Sequence, residues 1–199
     1  MKVIIVAGFL GSGKTSLILS MIERLNEVTG QKTGIIVNDF GKVNIDGKIM
    51  EKYGLDVKEV QGGCICCSLG SFLLDTVQRL AVNMHPDFIV IEPSGIAHPQ
   101  QIVDTLDAYH GPPLEYIRSL VVMDVARFEK ISKTMGVPFE KQVTSADAIV
   151  LNKIDEMNGT DIDSIEARLR EIGFRGKIIR VSATERTNID DVIEVMVNQ

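Results

Sequence analysis

A chain of 199 residues is long enough to bury one substantial core, and an aliphatic composition without Trp suits β-branched strands filling a buried parallel sheet. A formal net charge of −6 argues against nucleic acid as a partner, because that affinity comes largely from basic side chains neutralising phosphates. No apolar run is long enough to span a bilayer, and three cysteines without a secretory signal imply free thiols and a cytoplasmic location.

The apolar run after Lys2 is too short for a signal peptide and leads straight into a glycine-rich loop, so residues 3–7 read as a buried first strand. Residues 16–27 carry the apolar spacing of a helix. Between them stands Gly8-Phe9-Leu10-Gly11-Ser12-Gly13-Lys14-Thr15, the complete G-x-x-x-x-G-K-[ST] phosphate-binding pattern in its strand–loop–helix setting. The glycines let backbone N–H groups turn inward round phosphates, and the helix start adds the positive end of its dipole. Gly8, Gly11, Ser12, Gly13 and Ser16 are therefore expected to cradle a nucleotide. Lys14 is expected to bridge the β- and γ-phosphates, and the Thr15 hydroxyl to ligate Mg²⁺.

Residues 33–37 form a second apolar strand that runs into Asn38-Asp39-Phe40-Gly41. Asp39 reads either as a contact to a metal ion in one nucleotide state or as a turn-forming aspartate. After a short strand at residues 57–60 comes Gly62-Gly63-Cys64-Ile65-Cys66-Cys67, which holds every cysteine in the chain. Holding or hydrolysing a nucleotide needs no thiols. In an extended segment Cys64 and Cys66 share a face, and a turn into the next helix, expected at residues 72–84, could bring Cys67 round the same ion. Thiolates suit Zn²⁺, Co²⁺ or Ni²⁺, and because binding needs deprotonated sulfur it should weaken at low pH. With at most three thiolates from this loop, a position remains for water, a histidine or a second protomer, which suits transfer of the ion. Two other readings of the cluster are small buried residues and a redox-sensing loop that oxidises to a disulfide.

Residues 88–91 make a third buried strand, closed by Glu92-Pro93-Ser94-Gly95. Glu92 is placed to orient Mg²⁺ through water, and the Gly95 N–H to meet a γ-phosphate and report its loss. The alternative is an N-cap region for the following helix. His98 is either a further metal or water contact or a solvated loop residue ahead of Pro99. His85 and His110 read as loop residues. A strand at 120–123 ends at Asp124, which carries the same ambiguity as Asp39.

Another strand, at 148–151, runs into Asn152-Lys153-Ile154-Asp155. A carboxylate at Asp155 can accept from guanine N1–H and from the exocyclic amine, whereas adenine offers an acceptor at N1 and would leave a buried carboxylate unpaired. Charge-assisted bonds of about 1.5–3 kcal/mol each support discrimination of roughly a thousandfold or more. The Lys153 stem can cover the purine, and Asn152 can tie this loop to the phosphate loop. A helix at 162–172 and a last strand at 178–181 lead to Ser182-Ala183, where the Ala183 N–H could meet guanine O6. A helix at 189–197 closes the chain.

Strands alternating with helices give an α/β P-loop NTPase with a doubly wound, mainly parallel sheet and helices on both faces. Ligands bind such sheets at the strands' carboxyl ends, where each motif falls, so the motifs should converge. Residues 1–199 are expected to form a single domain.

On GFLGSGKT, NDFG, GGCICC, EPSG and ADAIVLNKID, the chain resembles the CobW/HypB/UreG family of metal-handling GTPases, and most closely its CobW-like branch, from Gly8 through Ala183. The resemblance implies slow GTP hydrolysis, dependence on Mg²⁺, and binding of Zn²⁺, Co²⁺ or Ni²⁺ for delivery to a client metalloprotein. Three departures stand out: Asp39 replaces the usual Glu, Lys42 follows Gly41 where an acid is common, and the further C-terminal domain of typical CobW-like chains is not expected. GTP would order residues 38–46 and 92–99 and hold the thiol loop in its tight-binding form. The expected function is therefore a GTP-hydrolysing metallochaperone, with a GTP- and metal-dependent homodimer or a separate partner subunit as possible assemblies. The alternative is a GTP-dependent chaperone or redox-sensitive regulator of a metallo- or cobalamin-dependent enzyme without direct metal transfer.

Overall fold

Strands buried on both faces need apolar residues at every position, and four runs in this chain meet that demand. The computed structural model describes residues 1–37, 57–59 and 69–197. The runs become β1 (Lys2–Ala7), β2 (Thr33–Val37), β4 (Phe88–Glu92) and β6 (Ala148–Asn152). With β3 (Val57–Glu59), β5 (Tyr116–Asp124) and β7 (Lys177–Val181) they form a seven-stranded sheet in the order β3-β2-β4-β1-β5-β6-β7, every pair parallel. Parallel neighbours put all carboxyl ends on one edge. The loops after β1, β4 and β6 therefore meet there.

Alternation along β1 sorts the two faces. Ile4 and Val6 pack with Leu17, Met21 and Leu25 of α1 (Lys14–Thr29) and with Val192 and Met196 of α7 (Ile189–Val197). Val3 and Ile5 face the other way, onto α2 (Leu69–Asn83) and α3 (Pro99–Leu106). Ala7, Val121 and Ile149 extend that face beneath α4 (Phe128–Met135), α5 (Val137–Thr144) and α6 (Gly159–Ile172). Among the described residues, no helix is long and apolar enough to cross a membrane.

The sequence pattern indicates no helix at α4 or α5, and one at α3 only as the alternative reading of residues 92–95. α3 opens with Pro99 at its first turn and His98 as N-cap. Proline here starts a helix, where its missing N–H costs nothing, rather than marking a turn. α4 and α5 are two turns each, separated by Gly136 at φ 48°. Each holds too few apolar positions for periodicity to stand out. Strand β5 also begins four residues earlier than expected, at Tyr116. Its first half is polar because Tyr116 and Arg118 donate to the Met196 and Val195 carbonyls at the end of α7.

Leu25 is fully buried between α1 and the sheet. Leu25→Ala should lower unfolding stability by about 2–5 kcal/mol in urea. A loss under about 1 kcal/mol would show that α1 is not packed as described.

Candidate functional site

The phosphate loop spans the gap between the end of β1 and the start of α1. No side chain caps α1, and no acid stands in its first turn, so its N–H groups and positive dipole end are left for an anion. Gly13 precedes the helix at φ 90°, and a Cβ there would sit 2.2 Å from Asn152 Nδ2. A side chain would both strain the backbone and drive Asn152 away. The loop folds on itself through Ser12 N–H donating to the Phe9 carbonyl at 3.1 Å.

Because β4 lies beside β1, Glu92 at its carboxyl end faces the start of α1. Thr15 Oγ1 donates to Glu92 Oε2 at 3.0 Å and lies 3.2 Å from Oε1, and Lys14 Nζ stands 3.8 Å from the same carboxylate. Lys14 also reaches the Phe9 carbonyl at 3.5 Å. A cavity of about 400 Å³ opens in front of this cluster. Gly11, Gly13, Lys14, Thr15 and Ser16 line it from one side, and Glu92, Gly95 and Lys153 from others. Gly8 and Ser12 are not on its wall. Ser12 Oγ is buried without a hydrogen-bond partner among the described residues, and Ser12 lines a small space behind the loop with Phe9 and Phe128. The Ser12 hydroxyl is thus turned away from the cavity, and its backbone N–H is engaged with Phe9. A hydroxyl and a carboxylate side by side, next to an ammonium group, form a hard-oxygen donor set that fits Mg²⁺ beside a phosphate chain.

Asn152, at the end of β6, is buried. Its Nδ2 donates to the Ser12 carbonyl at 2.9 Å, and its Oδ1 accepts from the Ala183 N–H at 3.0 Å. One side chain thus joins the phosphate loop to the loop after β7. Lys153 follows in the left-handed region at φ 65° and pairs with the fully buried Asp124 carboxylate at 2.7 Å. Asp124 also accepts from the Arg127 N–H at 3.1 Å, and Arg127 Nη1 reaches the Leu10 carbonyl at 3.2 Å. Asp124 thus holds Lys153 and caps the turn after β5.

Asp155 is exposed, so its carboxylate stays hydrated until something covers it. The expected contrast with adenine, framed for a buried carboxylate, applies only once a base closes over this residue. Ser182 points inward, its Oγ accepting from the Glu185 N–H at 3.2 Å and lying 3.2 Å from Thr184 Oγ1. It shapes the turn. The Ala183 N–H, expected to meet guanine O6, is engaged with Asn152.

Asp39, Cys64, Cys66 and Cys67 lie outside the described residues. Among the described residues, no group of three His, Cys, Asp or Glu side chains gathers as a metal site. His98 is the half-buried N-cap of α3, where its N–H donates to Gln101 Oε1 at 3.2 Å. Gln142 was overlooked in the sequence. It is wholly buried on α5 and contacts the loop after β4. Its signal was a lone amide between Phe139 and Val143, legible only once α5 is known to exist.

A model of the nucleotide-binding domain of CobW/HypB/UreG matches residues 2–180. The chain is 36% identical over 152 residues to the zinc chaperone YeiR of Escherichia coli, covering 76% of this chain and 46% of that protein. It is also similar to the Zn(II)-bound YjiA GTPase of E. coli, with a TM-score of 0.64 and 27% identity over 91% of this chain and 57% of the other. The hydrogenase maturation factor HypB of Archaeoglobus fulgidus shares the fold, with a TM-score of 0.72 at 23% identity, over 98% of this chain and 88% of that one. The chain spans about half the length of the curated relatives it matches.

Asn152→Ala would strand the Ser12 carbonyl and the Ala183 N–H in a buried setting. Fluorescent-nucleotide titration should show GDP and GTP affinity both falling at least about tenfold, since each unmet group costs about 1–3 kcal/mol. Unchanged affinity would mean that the two loops do not need this tie.

Proposed function

This chain belongs to the CobW/HypB/UreG family, on its CobW-like branch, and we propose that it binds and hydrolyses GTP and couples the nucleotide's state to loading and delivery of a divalent transition metal. The observation that carries the reading is the double hydrogen bond of Asn152, which makes the phosphate loop and the base-side loop one unit. On this reading the triphosphate lies against the start of α1. Lys14 leaves the Glu92 carboxylate for the β- and γ-phosphate oxygens, and the Gly95 N–H meets the γ-phosphate. Thr15 and Glu92 would hold Mg²⁺, which supplies charge neutralisation along the phosphate chain.

Guanine is selected by Asp155, whose carboxylate accepts from N1–H and the exocyclic amine as the base covers it. Asp124 fixes the Lys153 ammonium, so the lysine stem rather than its charge is presented to the purine. The N–H groups around the phosphates are backbone, held by the loop's own hydrogen bonds, so they need little reorganisation during reaction.

The metal is cargo, and the thiols of Cys64, Cys66 and Cys67 are its proposed ligands. Zinc is the first candidate, because the similar proteins YeiR and YjiA are both named zinc chaperones. Thiolate ligands also accept Co²⁺ and Ni²⁺. Coupling requires the ion to bind the GTP form better than the GDP form, since equal affinity would transmit nothing. A client metalloprotein would receive the ion when hydrolysis relaxes the loop.

Reduced protein titrated with Zn²⁺ against a chromophoric chelator, with a non-hydrolysable GTP analogue bound, should take up one equivalent. Cys66→Ser should lose that equivalent while keeping nucleotide affinity, and binding should weaken as pH falls and the thiols reprotonate. Retention of full zinc affinity in Cys66→Ser would remove the thiol loop from the metal site.

A further inference from the structure

An amide with no solvent exposure in an apolar layer is costly unless it is hydrogen-bonded. Gln142 is such a group. It is completely buried on α5, whose Phe139 and Val143 belong to the core. Its Nε2 donates to the Gly95 carbonyl at 3.2 Å and to the Ala97 carbonyl at 2.9 Å. Its Oε1 is buried and meets no donor among the described residues. A methionine would fill a similar volume without leaving that oxygen unmet, so packing does not account for the residue. Its two N–H donors do.

Both donors act on the loop between β4 and α3. That loop's backbone touches the phosphate loop: a Cβ at Gly95 would lie 3.0 Å from the Leu10 backbone nitrogen. The same helix anchors the phosphate loop from behind, where Phe139 stacks on Phe9 with ring centroids 6.3 Å apart. α5 therefore grips both walls of the cavity, one through a ring and the other through an amide.

We infer that Gln142 is a positioning residue for sensing the γ-phosphate. Its amide clamps the Gly95 and Ala97 carbonyls, which fixes the Gly95–Ile96 and Ala97–His98 peptides and so restricts the neighbouring Ser94–Gly95 peptide, whose N–H is the proposed γ-phosphate contact. The inference rests on the proposed GTP site. Gln142 does not touch nucleotide. In the proposed site only the γ-phosphate meets Gly95, so the effect should fall on the triphosphate.

The test compares the unmodified chain with Gln142→Met, measuring affinity for GDP and for a non-hydrolysable GTP analogue in Mg²⁺. The variant should bind GDP within about twofold of normal and the GTP analogue about tenfold or more weakly, the scale of lost hydrogen bonds. A parallel loss for both nucleotides, or no loss for either, overturns the inference. Should the variant not fold, hydrogen exchange on the unmodified chain decides. The GTP analogue, and not GDP, should protect residues 93–98 together with residues 139–143 of α5. Protection of the loop without any change in α5 overturns the clamp. Failure of the GTP reading itself shows separately, as no guanine-nucleotide binding by the unmodified chain, and overturns both.

Discussion

The arrangement of this site depends on one buried amide. Asn152 sits where β6 ends, and its two ends bond to backbone groups of the loops after β1 and β7. Neither loop has regular structure at that point, so each backbone group would otherwise need water or a ligand. Binding both with one rigid side chain sets the distance between the phosphate end and the base end of the site. Gly13 is the counterpart of this tie, since any side chain there would occupy the space of the Asn152 amide. Together they explain why the phosphate loop and the Asn-Lys-Ile-Asp segment act as a unit despite about 140 residues between Ser12 and Asn152.

The second element is the cluster of Lys14, Thr15 and Glu92. Lys14 and Thr15 open α1, the helix that follows β1, and Glu92 ends β4, the strand beside β1, so strand order brings them together. A cation, a hydroxyl and a carboxylate held together form a balanced set whose partners phosphate oxygens and a hard cation can replace. Asp124 does similar work at the base end. By holding Lys153 and the Arg127 N–H it fixes a lysine in a left-handed conformation that a non-glycine residue rarely adopts unaided.

Much of this was legible in the sequence because buried parallel strands are apolar without interruption. The runs at β1, β2, β4 and β6 could be read almost to the residue, and the phosphate-binding, Asn-Asp-Phe-Gly, Glu-Pro-Ser-Gly and Asn-Lys-Ile-Asp segments each stand at or directly after the end of one of them. Legibility failed where polar residues serve distant partners. Arg118 and Tyr116 make the first half of β5 look like loop, because their hydrogen bonds run to the far end of the chain. Gln142 escaped for the same reason, since its worth lies in carbonyls some 45 residues away. The short helices α3, α4 and α5 gave too little periodicity, and Pro99 pointed to a turn where it opens a helix. The inward turn of Ser182 and the capture of the Ala183 N–H by Asn152 depend on side-chain packing that no pattern encodes.

Metal and nucleotide are linked in this account through free energy, so each must alter the binding of the other by the same factor. The most direct test is the dissociation constant of a non-hydrolysable GTP analogue, measured for reduced protein with and without one equivalent of Zn²⁺, with GDP measured alongside. Zinc should tighten the GTP analogue by roughly fivefold or more, within the usual range of coupling energies, and tighten GDP less. Equal affinities with and without zinc would contradict it and leave a GTPase whose thiols serve another purpose.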